Sequence, residues 1–527
     1  MSNLGFQTIY RLLNQMDQVV CERFFLFDFP HYGGAKTLES DHPIRDFDLI
    51  AFSVPFELDY PNALKLLKLS KIPLLSSQRK EDSPLIIAGG VTVTLNPEVL
   101  APFFDCLFIG EAEEMLSEFM EAYMTLHNTK APRDEILLEL SKIQGVYVPQ
   151  FYQVSYYEDG CVKEVKVKEG APSVIQRRRV NLDGMETFSP IISPYAHFKN
   201  SLLIEVGRGC VWGCRFCAAG HIYQPARFYK KESILNQVKK YAQDSKSLES
   251  IGHVGLIGAV ISDHPELENI CETLAMEGFE IGTSSLRVDM VSSKLLGFLR
   301  DSGLKTLTLA PEVGTEKMWR VINKKLNREI VLKSTELAKD ARIQNLKLYF
   351  IIGLPFEEEE DIDGIVNLIG EVHQIFIRDY RKTNERKGSL RRIKLSINPF
   401  VPKPHTPFQW CGMNQEEELK KKFNKIADKV NNLKGIYLER KSIREAILQA
   451  IFSLGNRKVG EGLFYKIEEN LSFSQAWKKA GVNHNLIAFE SKSLDSILPW
   501  DIIDSGMSKS YLKAELEKAK KIKSPNR

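Results

Sequence analysis

The sequence predicts an α/β protein: two regions of alternating strands and helices, joined by a hairpin and followed by a helical C-terminal part. Three observations carry this. Short apolar runs alternate with helix-length stretches over residues 1–140 and again over 196–411. Between them, Glu158-Asp-Gly160 separates two strand-like segments, a hairpin signal. After residue 412 the apolar spacing is helical throughout. Strands that alternate with helices form parallel sheets covered on both faces, and such sheets take ligands beyond the carboxyl ends of their strands.

In the first region strands are expected at 48–54, 85–90 and 106–110, and helices at 60–69, 97–104 and 111–126. Pro61 suits the first turn of its helix. Ser53, the pair Gly89-Gly90 and the pair Gly110-Glu111 then fall at strand ends. Residues 141–195 supply the hairpin, at 146–156 and 162–167, and a proline- and charge-rich linker whose Arg177-Arg-Arg run reads as solvated. The second region gives strands at 202–206, 254–257, 280–286, 306–310, 347–352 and 393–397. Its helices fall at 232–241, 266–277, 294–302, 316–322, 328–341 and 360–376. Six such units fall short of the eight of a full TIM barrel. In the last part, Ser442-Ile-Arg-Glu445 has the form of a capping box. Ile443, Ile447, Ile451 and Leu454 make a core-facing stripe, and 513–523 reads as a frayed, solvated terminal helix.

Composition excludes several classes. A net charge of +3 on 527 residues is too small to argue for nucleic acid or an anionic membrane surface. No run reaches the ~20 apolar residues of a membrane helix, and the N-terminus has neither the basic nor the apolar stretch of an export signal. Eight cysteines in a chain of this length do not make a disulfide framework, so a reducing, cytoplasmic setting is expected.

The cysteines point elsewhere. Gly207-Arg-Gly-Cys210-Val-Trp-Gly-Cys214-Arg-Phe-Cys217 is a C-x3-C-x2-C triplet directly after an apolar strand. Three thiolates can hold three irons of a [4Fe-4S] cluster and leave the fourth iron open to a small molecule. Gly207, Gly209 and Gly213 let a short loop wrap a bulky group. Two other readings stay open: a zinc site with His221 as fourth ligand, and three inert buried cysteines. Four more segments end barrel strands: Gly255-Leu-Ile-Gly258, Ser284-Ser-Leu-Arg287-Val-Asp289, Ala310-Pro-Glu312-Val-Gly314 and Phe350-Ile-Ile352-Gly-Leu-Pro355. A guanidinium such as Arg287 suits a carboxylate, and Glu312 suits an ammonium or hydroxyls. Each can equally be an internal salt bridge or turn. The stiff run Asn398-Pro-Phe-Val-Pro-Lys403-Pro-His405-Thr-Pro-Phe-Gln-Trp410 is either a pocket wall, with Lys403 and His405 as polar contacts, or a barrel-closing turn. Ser262-Asp263-His264 suggests acid–base chemistry, and an N-cap explains Asp263 at least as well.

In its cysteine triplet, with Phe216 beside the last cysteine, and in its strand-end motifs, residues 196–411 resemble the partial (β/α)6 barrel of the radical S-adenosylmethionine (SAM) enzymes. That resemblance implies a [4Fe-4S] cluster on Cys210, Cys214 and Cys217, and SAM contacts at Phe216, Gly258, Arg287, Glu312 and Ile352. Through Ala88-Gly-Gly-Val-Thr-Val-Thr-Leu-Asn-Pro-Glu98 and Phe108-Ile-Gly-Glu-Ala-Glu113, residues 1–140 resemble the Rossmann-like cobalamin-binding domain fused to many of these enzymes. This implies cobalamin contacts at Ser53, Gly89, Gly90, Gly110 and Glu111. The D-x-H-x-x-G motif that ligates cobalt is absent. Asp28-Phe-Pro-His31-Tyr-Gly33 is misspaced, and His31 is not assigned to the metal. Relatives usually place a strand before the segment matching residues 1–10, so the sheet is expected to lack its first strand, or the natural start to lie upstream. Leu498-Pro-Trp-Asp-Ile-Ile-Asp-Ser-Gly-Met507 resembles the C-terminal extension of the same fusions, which places a helical domain at 412–527.

The activity implied is radical SAM chemistry, with cobalamin-dependent methylation of an unactivated carbon in a small molecule or peptide side chain. Ferredoxin or flavodoxin is the implied electron donor, and no nucleic-acid or membrane partner is expected. One alternative is a methylthiotransferase acting on RNA or protein, which needs a second cluster on Cys21, Cys106 and Cys161. The other is a non-catalytic cobalamin- or cluster-binding protein. The sequence assigns no further catalytic residue.

Overall fold

A computed structural model of the chain describes residues 3–26, 35–244, 252–379 and 391–522; the Asp28–His31–Gly33 motif lies outside them. After α1 (Leu4–Asn14), the N-terminal region alternates β1 (Leu49–Ser53), α2 (Tyr60–Leu69), β2 (Leu85–Gly89), α3 (Val91–Leu95), β3 (Cys106–Phe108), α4 (Ala112–Asn128), α5 (Arg133–Ser141) and β4 (Val146–Tyr147). The sheet runs β1-β2-β3-β4, with the first three strands parallel and β4 antiparallel to β3. One local reading is corrected. The helix expected at 97–104 is a run of turns. Asn96 Oδ1 accepts from Glu98 N at 3.1 Å, and Pro97 O closes the turns that follow by accepting from Leu100 N and Ala101 N. The helical turn comes earlier instead, as α3 directly after Gly90. Gly90 has φ +127°, and a Cβ there would lie 2.6 Å from the Val54 carbonyl oxygen.

The hairpin forms from β5 (Tyr152–Tyr156) and β6 (Val162–Val167), but its first strand is shorter than the expected 146–156, because Val146–Tyr147 pair with β3 as β4 and Pro149 starts a turn between them. The arginine run does not stay solvated. The chain passes through β7 (Ile175–Gln176), and Arg177 Nε then donates to Ser505 O and one Arg177 terminal nitrogen to Gln224 O, each at 3.1 Å. Arg178 pairs with Glu114 and Glu118.

The barrel strands are β8 (Ser201–Arg208), antiparallel β9 (Arg227–Phe228), β10 (His253–Gly258), β11 (Glu280–Thr283), β12 (Thr306–Glu312), β13 (Asn345–Ile352), β14 (Arg392–Pro399) and β15 (Ile436–Arg440). They form two four-stranded sheets, β11-β10-β8-β9 and β12-β13-β14-β15, joined by a parallel bridge between Leu286 and Leu309. The connections are helical: α6 (Ala219–Ile222), α7 (Lys231–Asp244), α8 (Leu267–Met276), α9 (Ser293–Asp301), α10 (Glu316–Val321), α11 (Arg328–Asp340), α12 (Glu359–His373) and α13 (Glu416–Val430). All six expected strands are present. The purely helical reading after 412 is corrected, because α13 and β15 extend the parallel sheet by one more strand. No residue of β15 is fully buried, so it leaves no apolar run to read.

β13 shows how the barrel is held. Leu346, Leu348, Phe350 and Ile352 are buried on one face, while Tyr349 and Ile351 turn to the other. Each such side chain stabilises the fold by about 1.5–3 kcal/mol. The remaining elements are α14 (Ile443–Leu454), α15 (Arg457–Glu468), α16 (Phe473–Lys479), α17 (His484–Ala488), β16 (Ile503–Asp504) and α18 (Lys509–Lys520), with β16 pairing to β7. Ser442 Oγ caps α14 through Glu445 N, and Ile443, Ile451 and Leu454 of the stripe are buried. The helices α14 and α15 pack on the N-terminal region. Arg457 reaches Glu98 at 2.8 Å and the Tyr147 hydroxyl at 2.7 Å. Asn96 Nδ2 donates to Ser453 O and Gly455 O. No helix among the described residues is long and apolar enough to cross a membrane.

Candidate active site

The cysteine loop starts where β8 ends. Gly209 has φ +80°, and a Cβ there would lie 2.3 Å from Tyr223 O, so only glycine lets the loop turn at this point. Backbone bonds Cys214 N to Trp212 O and Cys217 N to Cys214 O then coil it tightly, and Gln224 Nε2 holds Cys210 O at 2.6 Å. Cys210 and Cys214 are buried and Cys217 half-buried. Burial pushes the Cys210 thiol up to about 11 and the Cys214 thiol up to about 12. Arg215, between two of the cysteines, donates to Glu515 at 2.9–3.0 Å and to Arg320 O and Val321 O at 2.8 Å. Glu515 belongs to α18, where Leu512, Leu516 and Ala519 are buried. The terminal helix is therefore docked behind the loop, which corrects its reading as a frayed end.

The loop opens on a cavity of about 570 Å³. Phe216, Cys217, Ala218 and Ala219 form one wall. Strand ends supply the floor with Ser285, Glu312, Tyr349, Ile351 and Asn398, and the proline-rich run adds Phe400 and Lys403. The N-terminal region forms the roof with Phe56, Glu57, Val91, Thr92 and Leu95, and α14 adds Gln449. Lys403 ion-pairs with Glu57, and Gln449 Nε2 donates to the same carboxylate at 2.9 Å. A second depression, between α12 and α13, carries no comparable chemistry.

Of the expected SAM positions, Phe216 and Glu312 line this cavity. Glu312 has φ +69°, a left-handed conformation uncommon for a residue with a side chain, and Lys324 Nζ holds its carboxylate at 3.0 Å. The other three do not face it. Gly258 stands at the end of β10, its carbonyl 3.4 Å from Ser284 Oγ. The Ile352 side chain points to the covering helices, because the two-residue period gives the cavity to Tyr349 and Ile351 instead. Arg287 lies 3.7 Å over the Trp212 ring and binds both oxygens of Asp289, at 2.9 and 2.8 Å. Asp263 is neither a cap nor a free base: it accepts the Trp212 indole N–H at 2.5 Å. His264 is engaged by Tyr229 O and Glu266 N. Lys403 is on the wall as expected, but His405 sits behind it, buried, with its ring tied to the Leu95 backbone. Sequence reading missed Arg215, Glu515, Trp212 and Lys324; Arg215 and Glu515 pair across 300 residues, Trp212 and Asp263 across 51, and Lys324 meets Glu312 only because the turn after α10 folds back.

The loop fits an iron–sulfur cluster better than zinc. No three His, Cys, Asp or Glu side chains among the described residues converge closely enough for a single ion. Thiolates that each take a separate iron stand farther apart. His221 is buried with both ring nitrogens unpartnered, and its charged neighbour is Glu515. The cobalamin positions divide. Gly89 and Gly90 lead into α3, which lines the cavity, while Ser53 is exposed at the end of β1. Gly110 is closed over by Arg178, whose oxygen would lie 2.2 Å from a Cβ there. Glu111 is spent on Arg227, on Arg208 at 3.4 Å and on Val180 N at 2.9 Å. The end of β3 thus does not fit a cofactor. Cys106 is in the β3 core, while Cys21 and Cys161 lie on separate segments, so a second cluster has no loop to hold it.

Two family comparisons match. The family described as "Radical SAM proteins, N-terminal" covers residues 5–149, and the "Radical SAM superfamily" covers 204–369. An uncharacterised protein of Methanocaldococcus jannaschii, MJ0966, is 29% identical over 461 residues, 88% of this chain and 90% of that one. A tRNA-2-methylthio-N(6)-dimethylallyladenosine synthase of Clostridium botulinum is 24% identical over 53% of this chain and 56% of its own length. Among solved structures, the radical S-adenosylmethionine methyltransferase TsrM of Kitasatospora setae aligns with a TM-score of 0.46 and 11% identity, over 81% of this chain and 89% of that one.

Proposed function

Residues 204–369 are a radical SAM domain, and from that premise we propose that the protein is a radical SAM enzyme acting on a small molecule or side chain held in the cavity beside Cys217. Cys210, Cys214 and Cys217 would hold a [4Fe-4S] cluster, which when bound would supply the one electron that breaks the C5′–S bond of SAM into methionine and a 5′-deoxyadenosyl radical. The observation that carries the reading is that Phe216 and Cys217 share a cavity with Glu312 and Tyr349. Glu312 offers a carboxylate to the SAM ammonium or ribose. Tyr349, Ile351 and Phe400 give apolar surface for adenine and substrate, and the N-terminal region covers one side of the site. The electron comes from a one-electron carrier such as ferredoxin or flavodoxin.

The finer reading is methylation of an unactivated carbon with cobalamin as methyl carrier. Its support is the roof, where segments beyond β1 and β2 face the cysteine loop; the end of β3 offers nothing to it. A methylthiotransferase reading lacks the second cysteine loop.

The test is anaerobic incubation of reduced protein with methyl-labelled SAM. 5′-Deoxyadenosine is expected, and labelled product on a candidate substrate supports methylation. Absence of 5′-deoxyadenosine with an intact cluster contradicts the enzyme reading.

A further inference from the structure

We propose that Lys324 is a positioning residue for the cluster: its buried ammonium sets the cluster's reduction potential, and its partner Glu312 sets how much of that charge the cluster feels. The inference rests on the reading that Cys210, Cys214 and Cys217 hold a [4Fe-4S] cluster.

The turn after α10 is sewn to the cysteine loop on both sides of Cys214. Asn323 Nδ2 donates to Gly213 O at 2.8 Å, and Arg215 N donates to Ile322 O at 3.0 Å. The next residue in the chain, Lys324, is thereby delivered beside the loop. Its side chain is 8% exposed. Two of its three N–H bonds go to Ala310 O, at 2.6 Å, and Glu312 Oε1, at 3.0 Å. Its ammonium lies within electrostatic reach of both Cys214 and Cys217. Of the other cations near the loop, Arg287 is neutralised by both oxygens of Asp289 and Arg215 by Glu515, while Lys325 lies 5.7 Å over the Trp212 ring.

A cluster held by three thiolates becomes more negative when it takes an electron. A cation fixed nearby in a poorly screened interior favours that reduced state, and net charge is one of the levers on such potentials. Glu312 offsets the cation and lines the SAM-side cavity, so the pair links the cluster's charge environment to the SAM-side wall.

The test is an EPR-monitored potentiometric titration of anaerobically reconstituted full-length protein without SAM, with dithionite as reductant. The couple is one electron from dithionite to the cluster. Lys324→Met is expected to lower the reduced-to-oxidised ratio at fixed potential about tenfold, which is about 59 mV downward for a one-electron couple. Glu312→Gln is expected to move it upward, and Lys324→Arg to stay near wild type. An unchanged or raised potential in Lys324→Met, or a lowered one in Glu312→Gln, overturns the proposal. If Lys324→Met fails to load iron, Glu312→Gln decides alone: upward supports, unchanged overturns. A wild type without a reducible cluster instead refutes the cluster reading beneath it.

Discussion

Replacing Glu111 by glutamine removes the charge that locks the N-terminal sheet to the barrel while keeping the side chain's shape. The carboxylate is 3% exposed. It accepts from Arg227 through both oxygens, with Val180 N at 2.9 Å and Arg208 at 3.4 Å. Glutamine would turn an NH2 group toward guanidinium N–H groups. Arg208 keeps Glu113 and Glu205, so Arg227 is the group left stranded. Removing one partner of a buried ion pair costs about 3–5 kcal/mol. With a urea m-value of about 3 kcal/mol/M, the first unfolding transition should move down by about 1–1.7 M. Tryptophan fluorescence against urea is the assay. A shift below about 0.2 M would refute the clamp and reopen Glu111 as a free ligand-binding group. A pH arm checks the sign. Burial alone raises this carboxyl, but the hydrogen bond from Arg227, the charge of Arg208 and the Val180 N–H outweigh it, so its folded value lies below the ordinary 4.5. A carboxyl held down in the fold stabilises above that ordinary value, and the contribution is lost as pH falls through the folded one. Wild type should therefore lose stability below pH 4.5 more steeply than Glu111→Gln.

Gly209→Ala should cost more than about 1 kcal/mol, since alanine disfavours the positive φ and its Cβ meets Tyr223 O; iron bound per chain, measured after anaerobic reconstitution, should fall with it. Burial has pushed the His221 and His405 rings down from 6.5 to about 4, so the fold holds them neutral. The fold is fully favoured above 6.5 and loses up to about 3 kcal/mol per ring as pH falls toward 4. His221→Leu should make the decline in urea midpoint between pH 7 and 4.5 shallower, and an unchanged slope would contradict it.

Much of this was readable from local pattern. β13 declares itself because it is buried on one face and pairs with long neighbours on both sides, and the cysteine triplet because its ligands come from a single loop. β15 was hidden, since half-buried edge residues make no apolar run. α5 was hidden for a related reason: its buried Ile136, Leu137 and Leu140 make only a weak stripe. The site divides the same way. Phe216 was legible from its neighbour Cys217. The misplacement of Ile352 follows from β-strand parity, where a one-residue error sends a side chain to the opposite face. Arg287 was read as a carboxylate binder or an internal salt bridge; it is paired with Asp289, two residues on, while Trp212, which it covers, meets it only in three dimensions. Glu515, about 300 residues from Arg215, has no sequence signature as its partner.

The account stands most directly on a metal count and optical spectrum of protein purified without oxygen. It predicts about four irons per chain and a broad band near ~400 nm, both lost in Cys210→Ala. Zinc in place of iron, or full iron retained by that variant, would contradict it.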